Sequence, residues 1–134
     1  MDQKKLLIFF FKITFFLWLF IIFVVSVYPG NLIGLIFKGD PTVYPGGPKT
    51  NFFLEYSSHV ITYFLLSFLS YLSFDYERKS KVLIISLTFF SIMMELLHLM
   101  IPNRAYEHYD LLMNLLGVYL GLSLFFLKRF KLFT

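Results

Sequence analysis

The sequence contains no cysteine, so it forms neither a disulfide nor a thiolate metal site. Charge is nearly as scarce. Only 15% of the 134 residues are Asp, Glu, Lys or Arg, against 58% hydrophobic and 22% aromatic. A soluble domain this small leaves much of its chain in water and needs a far more polar composition. The mean hydropathy of +0.74 therefore places the chain in the membrane class. The sequence also lacks a P-loop, a dinucleotide-binding glycine fingerprint and a Ser–His–Asp order, which removes the common nucleotide-binding and hydrolase readings.

What is present is a series of apolar runs. The first, Leu6 to Tyr28, is broken only by Lys12, Thr14 and Ser26. At about 1.5 Å per residue it covers a hydrocarbon core of roughly 30 Å. Lys4 and Lys5 look like the basic start of a signal peptide, but the run is too long and no small-residue cleavage site follows. Tyr28-Pro29-Gly30 is a helix stop, so residues 1–29 are expected to form an uncleaved transmembrane helix, with Lys12 snorkelling back to its basic end. Residues 30–51 carry Gly39-Asp40-Pro41 and Tyr44-Pro45-Gly46-Gly47-Pro48, the punctuation of a loop. Within it Leu32 to Phe37 is too short to span and is expected to lie in the interface. Residues 52–134 hold three more spans: Phe52 to Phe74, Lys81 to Ile101 and Leu111 to Leu127. Tight turns, Asp75 to Lys81 and Asn103 to Asp110, predict that these three form a compact antiparallel unit.

The basic residues orient the spans. Nine of the twelve Lys and Arg fall at the N-terminus, in the Asp75–Lys81 turn and at the C-terminus; only Lys38, Lys49 and Arg104 lie on the other side. The positive-inside rule places both termini in the cytoplasm of a multi-pass protein of the cell membrane. The extracytoplasmic side then holds three basic and five acidic residues, so the net charge of +4 is no nucleic-acid signal.

Most of the polar residues that are not simple flanks lie between Glu95 and Gly121, on the extracytoplasmic side. Glu95 is six positions before Ile101, roughly 9 Å below the expected end of its helix. A carboxylate at that depth should face the bundle interior or a water-filled cavity. Thr88, Ser91, Glu95 and His98 make one polar stripe on that helix. His59 shares a face of the second helix with Tyr56, Tyr63 and Ser67. Asp110 is expected to cap the last helix, with Asn114 one turn deeper and able to bond across helices. Gly117 and Gly121 form a G-x-x-x-G pair suited to close helix packing. Arg104, after Pro102, is placed to hold a lipid phosphate or to pair with Glu95, Glu107 or Asp110. Glu95 and His98 form an E-x-x-H, but a di-iron bundle needs a second such pair and two further glutamates, which this chain lacks. A single zinc on His59, Glu95 and His98 is the remaining metal geometry. No pattern demands a metal or a cofactor, and none is expected.

These residues resemble the VanZ-like family of small bacterial membrane proteins. Ser58-His59-Val60-Ile61-Thr62-Tyr63-Phe64-Leu65-Leu66 is similar to the family's K-x-x-H-F-x-x-Y-x-x-L helix. Glu95-x-x-His98, Pro102-x-Arg104, Asp110, Asn114, Gly117 and Gly121 resemble its E-x-x-Q, P-x-R and D-x-x-x-N-x-x-G-x-x-x-G series. The chain departs from that pattern at His98, where the family often has Gln, and at Glu55-Tyr56-Ser57, where its Lys is missing. The resemblance implies a multi-pass envelope protein; the founding member is associated with resistance to the glycopeptide teicoplanin.

The expected fold is thus all-α and membrane-integral, with four transmembrane helices and both termini inside. Its expected role is to bind a lipid or a cell-wall-related ligand at a polar pocket near the outer leaflet. The expected ligand-binding residues are His59, Glu95, His98, Arg104, Asp110 and Asn114. Two other readings stand beside it. One is a membrane enzyme acting on a lipid-linked substrate, with Glu95 as acid or base and His59 or His98 as partner. The other is a structural subunit whose polar residues only hold helices together.

Overall fold

The computed structural model describes residues 3–30, 52–74, 76–102 and 104–131, with isolated positions between the first two helices. The segment Leu32 to Phe37 and the Gly/Pro-rich loop fall largely outside the described residues. Those residues form four α-helices and no strand: α1 Gln3–Val27, α2 Phe52–Ser73, α3 Tyr76–Leu97 and α4 His108–Lys131.

Helix α1 stops where its sequence stops donating. The Tyr28 N–H still reaches the Val24 carbonyl at 3.1 Å, but Pro29 has no N–H for the next bond, and Gly30 leaves the helix at φ 110°. Helix α3 starts at Tyr76, earlier than the expected Lys81, so the charged stretch is the helix's own first turns rather than a loop. It also ends earlier, at Leu97 instead of Ile101. His98, Leu99 and Met100 switch to i→i−3 bonds of 2.9–3.1 Å as the chain approaches Pro102, whose ring disfavours helix in the residue before it. Helix α4 begins at His108, before the expected Leu111. Glu107 holds the position expected for Asp110: its carbonyl accepts the Leu111 N–H at 3.2 Å, and Asp110 sits inside the first turn.

The expected unit of the last three helices is rearranged. Helix α4 lies between α2 and α3, which contact each other only slightly, and α1 packs along α2 as a full member of the bundle. The α2–α4 contact is the most extensive, and glycine explains it. A Cβ on Gly117 would run into the Val60 carbonyl, and one on Gly121 would lie 2.6 Å from the Ser67 Cβ and 2.8 Å from the Phe64 carbonyl. Backbone therefore lies on backbone. Every helix adds two residues to the apolar core: Phe15 and Ile22, Tyr63 and Leu66, Leu87 and Met94, Val118 and Leu122. At the opposite end of the bundle, Lys12 lies over the Phe74 ring, Nζ 5.9 Å from its centroid, and Phe15 meets the same ring edge-on. Lys12 thus lies against the residue that follows α2.

The bundle is inside-out for a protein in water. Ser67, Ser70, Ser73, Ser91, Glu95 and Asn114 are buried, while Phe9, Phe10, Phe16, Phe20, Ile85 and Phe89 are exposed. Only Phe15 and Ile22 of the 25 residues in α1 are buried, yet its outward surface is almost entirely apolar. Helix α1 and residues Arg78–Leu97 of α3 are long and apolar enough to cross a membrane, with mean hydropathies of 2.7 and 1.8. Among the described residues these two segments alone meet that standard. In α2 and α4 polar residues such as Ser67, Ser70, Asp110 and Asn114 turn inward, while Ile61, Leu65, Leu112 and Leu116 face out.

The glycine seam gives a direct prediction. Gly117→Ala or Gly121→Ala should destabilise the detergent-solubilised protein by about 1–3 kcal/mol through overpacking. Leu116→Ala, on the outward face of the same helix, should leave the melting temperature nearly unchanged. Equal melting curves for all three would remove the seam as the organising contact.

Candidate functional site

Close approach of α4 to α2 sets the first part of the site. His59 on α2 meets α4 with both ring nitrogens: Nδ1 is 2.8 Å from Asn114 Oδ1, and Nε2 is 3.7 Å from Asp110 Oδ2. With the amide oxygen as the facing atom, Nδ1 carries the proton of that hydrogen bond. Asn114 is 2% exposed and one turn below Asp110, so the imidazole bridges two levels of α4. Asp110 also lies in the first turn of α4, where the positive helix end favours an anion.

The second part is built at the end of α3. Glu95 is 1% exposed. Its Oε1 accepts the backbone N–H of Glu107 at 3.0 Å and lies 3.3 Å from His98 Nδ1. The carboxylate therefore fastens the start of α4 to the end of α3 and orients the imidazole one turn on. The other imidazole nitrogen, His98 Nε2, is buried and has no hydrogen-bond partner among the described residues. Because α3 ends at Leu97, Glu95 sits in its last turn rather than well below the helix end.

Arg104 does something the sequence reading did not anticipate. It reaches α1, where Nε donates to the Tyr28 carbonyl at 3.2 Å and Nη2 donates to the Val25 carbonyl. Val25 is the residue whose carbonyl would accept the N–H at position 29, and proline has none. The guanidinium fills that vacancy with a charge-assisted bond and complements the negative end of α1. Burial draws the Arg104 pKa below its ordinary value, and the Glu95 carboxylate counters this. The expected partnership with a carboxylate is thus replaced by a helix cap, with Glu95 acting only through its field.

Between these parts lies a cavity of about 300 Å³. His59, Thr62 and Tyr63 of α2, Glu95 of α3 with His98 just beyond its end, Asn114 of α4 and Arg104 form its polar side. Its other wall is α1, through Trp18, Ile21, Ile22, Val25 and Ser26. Helix α1, expected as a plain span ahead of the three-helix unit, is therefore part of the cavity wall. Five of the six expected site residues line the cavity; Asp110 does not, and acts through His59. The missed wall carried one usable signal, the chain's single tryptophan in mid-helix. Trp18 Nε1 donates to the Thr62 carbonyl at 3.1 Å and so ties α1 to α2 beside the cavity.

The zinc geometry on His59, Glu95 and His98 is not formed. Among the described residues no three His, Asp or Glu side chains gather closely enough for a metal ion. His59 is turned to α4, while Glu95 and His98 face each other. The chemistry on offer is hydrogen bonding and charge at one end of a helical bundle. No family model, curated protein or solved structure matches the chain.

The cap on α1 can be measured as a coupling. Arg104→Ala should cost about 1.5–3 kcal/mol, the worth of a charged hydrogen bond. Pro29→Ala, which restores an N–H for Val25, should recover part of that loss in the Arg104→Ala background. Strictly additive effects in unfolding experiments would dissolve the link between the two residues.

Proposed function

We propose that this chain is a VanZ-like, four-span protein of the cell membrane that binds a lipid or a cell-wall-related ligand in its polar cavity. All four helices cross the bilayer in this reading, with both termini in the cytoplasm and the cavity at the extracytoplasmic end. Three features support it. The outward surfaces of α1, α3 and α4 are apolar, as a lipid solvent requires. The basic residues are concentrated at the end away from the cavity. The residues that carry the VanZ resemblance gather in space: Glu95 and Asn114 line the cavity with Arg104, and Gly117 and Gly121 seat α4 against α2.

The observation that carries the ligand reading is the cavity itself. Its volume of about 300 Å³ reaches the range of small-molecule sites, and it pairs an apolar wall with several convergent polar groups. A structural bundle has no need of such a space, since close packing is the norm for interiors. One observation also favours the enzymatic reading. The Glu95–His98 pair orients an imidazole by its Nδ1, leaving Nε2 buried and unmatched, the arrangement that general bases use.

Topology is testable because the chain is naturally free of cysteine. Ala105→Cys should react with a membrane-impermeant maleimide added to intact cells, and Lys79→Cys only after permeabilisation. The reverse pattern would invert the protein, and labelling of both from outside would end the four-span reading.

Ligand retention is tested by native mass spectrometry of the detergent-purified chain beside Ser26→Phe, which fills the cavity from α1. Arg104→Ala is unsuitable as the comparison because it also releases α1. An adduct of lipid or wall-precursor mass on the wild type, lost from Ser26→Phe, is the expected result. A bare wild-type chain would shift the weight to a structural subunit.

A further inference from the structure

The cavity holds two opposite charges that do not neutralise each other. Glu95 and Arg104 both line it, yet no ion pair joins them among the described residues. Each is half-engaged. Both hydrogen-bond contacts of the Glu95 carboxylate among the described residues fall on Oε1, from Glu107 N–H and His98 Nδ1, and the residue lines the cavity. Arg104 spends Nε and one N–H of Nη2 on the α1 carbonyls, and its other N–H groups remain. A buried carboxylate and a half-buried guanidinium held apart in this way each gain from an opposite charge supplied by a third party.

From this we infer that the cavity recognises a zwitterionic head carrying a primary ammonium and a phosphodiester on one short linker. The inference rests on the ligand-binding reading of the cavity. The ammonium would donate to Glu95 Oε2, and the phosphodiester would accept from Arg104. His98 Nε2, buried without a partner, and the Asn114 amide supply further polar contacts on the same wall. A purely anionic head would meet Glu95, and a purely cationic one would meet Arg104. A quaternary ammonium would keep the charge but lose the N–H donors, leaving Oε2 without a hydrogen bond. The apolar wall of Trp18, Ile21, Ile22 and Val25 lies opposite and suits the glycerol and upper acyl region of a lipid such as phosphatidylethanolamine.

Trp18 provides the readout, because it is the chain's only tryptophan and lines the cavity. The full-length protein in detergent would be titrated with short-chain phosphatidylethanolamine, phosphatidylcholine and phosphatidylglycerol, and with free phosphoethanolamine, following Trp18 emission. A saturable change with phosphatidylethanolamine is expected, with the choline and glycerol lipids about tenfold or more weaker. Glu95→Gln keeps an acceptor for Glu107 N–H and should erase the preference for ethanolamine over choline. If that variant fails to fold, the wild-type lipid series decides alone. Free phosphoethanolamine binding as tightly as the lipid would support the head chemistry and assign a soluble source. Equal affinity for the ethanolamine and choline lipids, or tightest binding of phosphatidylglycerol, would overturn the inference. Silence from every probe, with another adduct still retained in native mass spectrometry, would overturn the zwitterion and leave the cavity as a ligand site. Silence together with a bare chain would remove both.

Discussion

The structure depends first on the backbone contact between α2 and α4. Gly117 and Gly121 let α4 lie against the Val60 and Phe64 carbonyls at a distance no other residue permits. That approach is what brings His59 within 2.8 Å of Asn114. A larger residue at either position would lift α4 off α2 and break this bond. Dispersion across such a close seam adds to what holds the two helices together. The same seam places α4 between α2 and α3, and so decides which faces are left to enclose the cavity.

The remaining helices are fastened by polar groups acting on backbone. Glu95 takes the Glu107 N–H, joining α3 to the start of α4, and Arg104 takes two carbonyls of α1. Trp18 does the same from α1 to the Thr62 carbonyl. Each side chain meets a backbone group, so the site's geometry is tied to where helices end rather than to side-chain rotamers alone. Pro29 is the sequence feature behind the Arg104 contact. By removing one N–H it creates an acceptor that only another part of the chain can fill, and the cation answers it 75 residues later.

Much of this was legible in the sequence, for definite reasons. Helices with apolar outward faces follow from run length, and the inward polar stripe on α4 follows from spacing: Asp110, Asn114, Gly117 and Gly121 share one side. Glu95 was recognisable because depth in an apolar helix makes a carboxylate conspicuous. Four things were not legible. Helix α3 ends at Leu97 because the chain tightens ahead of Pro102, and periodicity cannot locate that change. The place of α4 between α2 and α3 depends on which helix its glycines meet, and G-x-x-x-G does not name its partner. Helix α1 looked like a plain span because its apolar residues serve equally for lipid contact and for a cavity wall. Pro29 and Arg104 were each read locally, one as a helix stop and the other as a carboxylate or lipid-phosphate partner, so their relation across the fold was invisible.

The buried polar residues fall into two populations, and the difference bears on function. Ser70, Ser73 and Ser91 return their hydroxyls to carbonyls of their own helices, at Ser67, Leu69 and Thr88, at 2.6–2.8 Å. They are satisfied locally and allow close approach without linking anything. The residues around the cavity behave otherwise. His59, Glu95 and Arg104 bond across elements, and beside them His98 Nε2 is buried with no hydrogen-bond partner among the described residues. An unfilled polar atom in an apolar surrounding costs about 1–3 kcal/mol, a cost that Ser67 Oγ, away from the cavity, carries as well. What sets the cavity apart is that Glu95, His98 and Arg104 line one space beside an apolar wall, an arrangement suited to a polar-headed ligand.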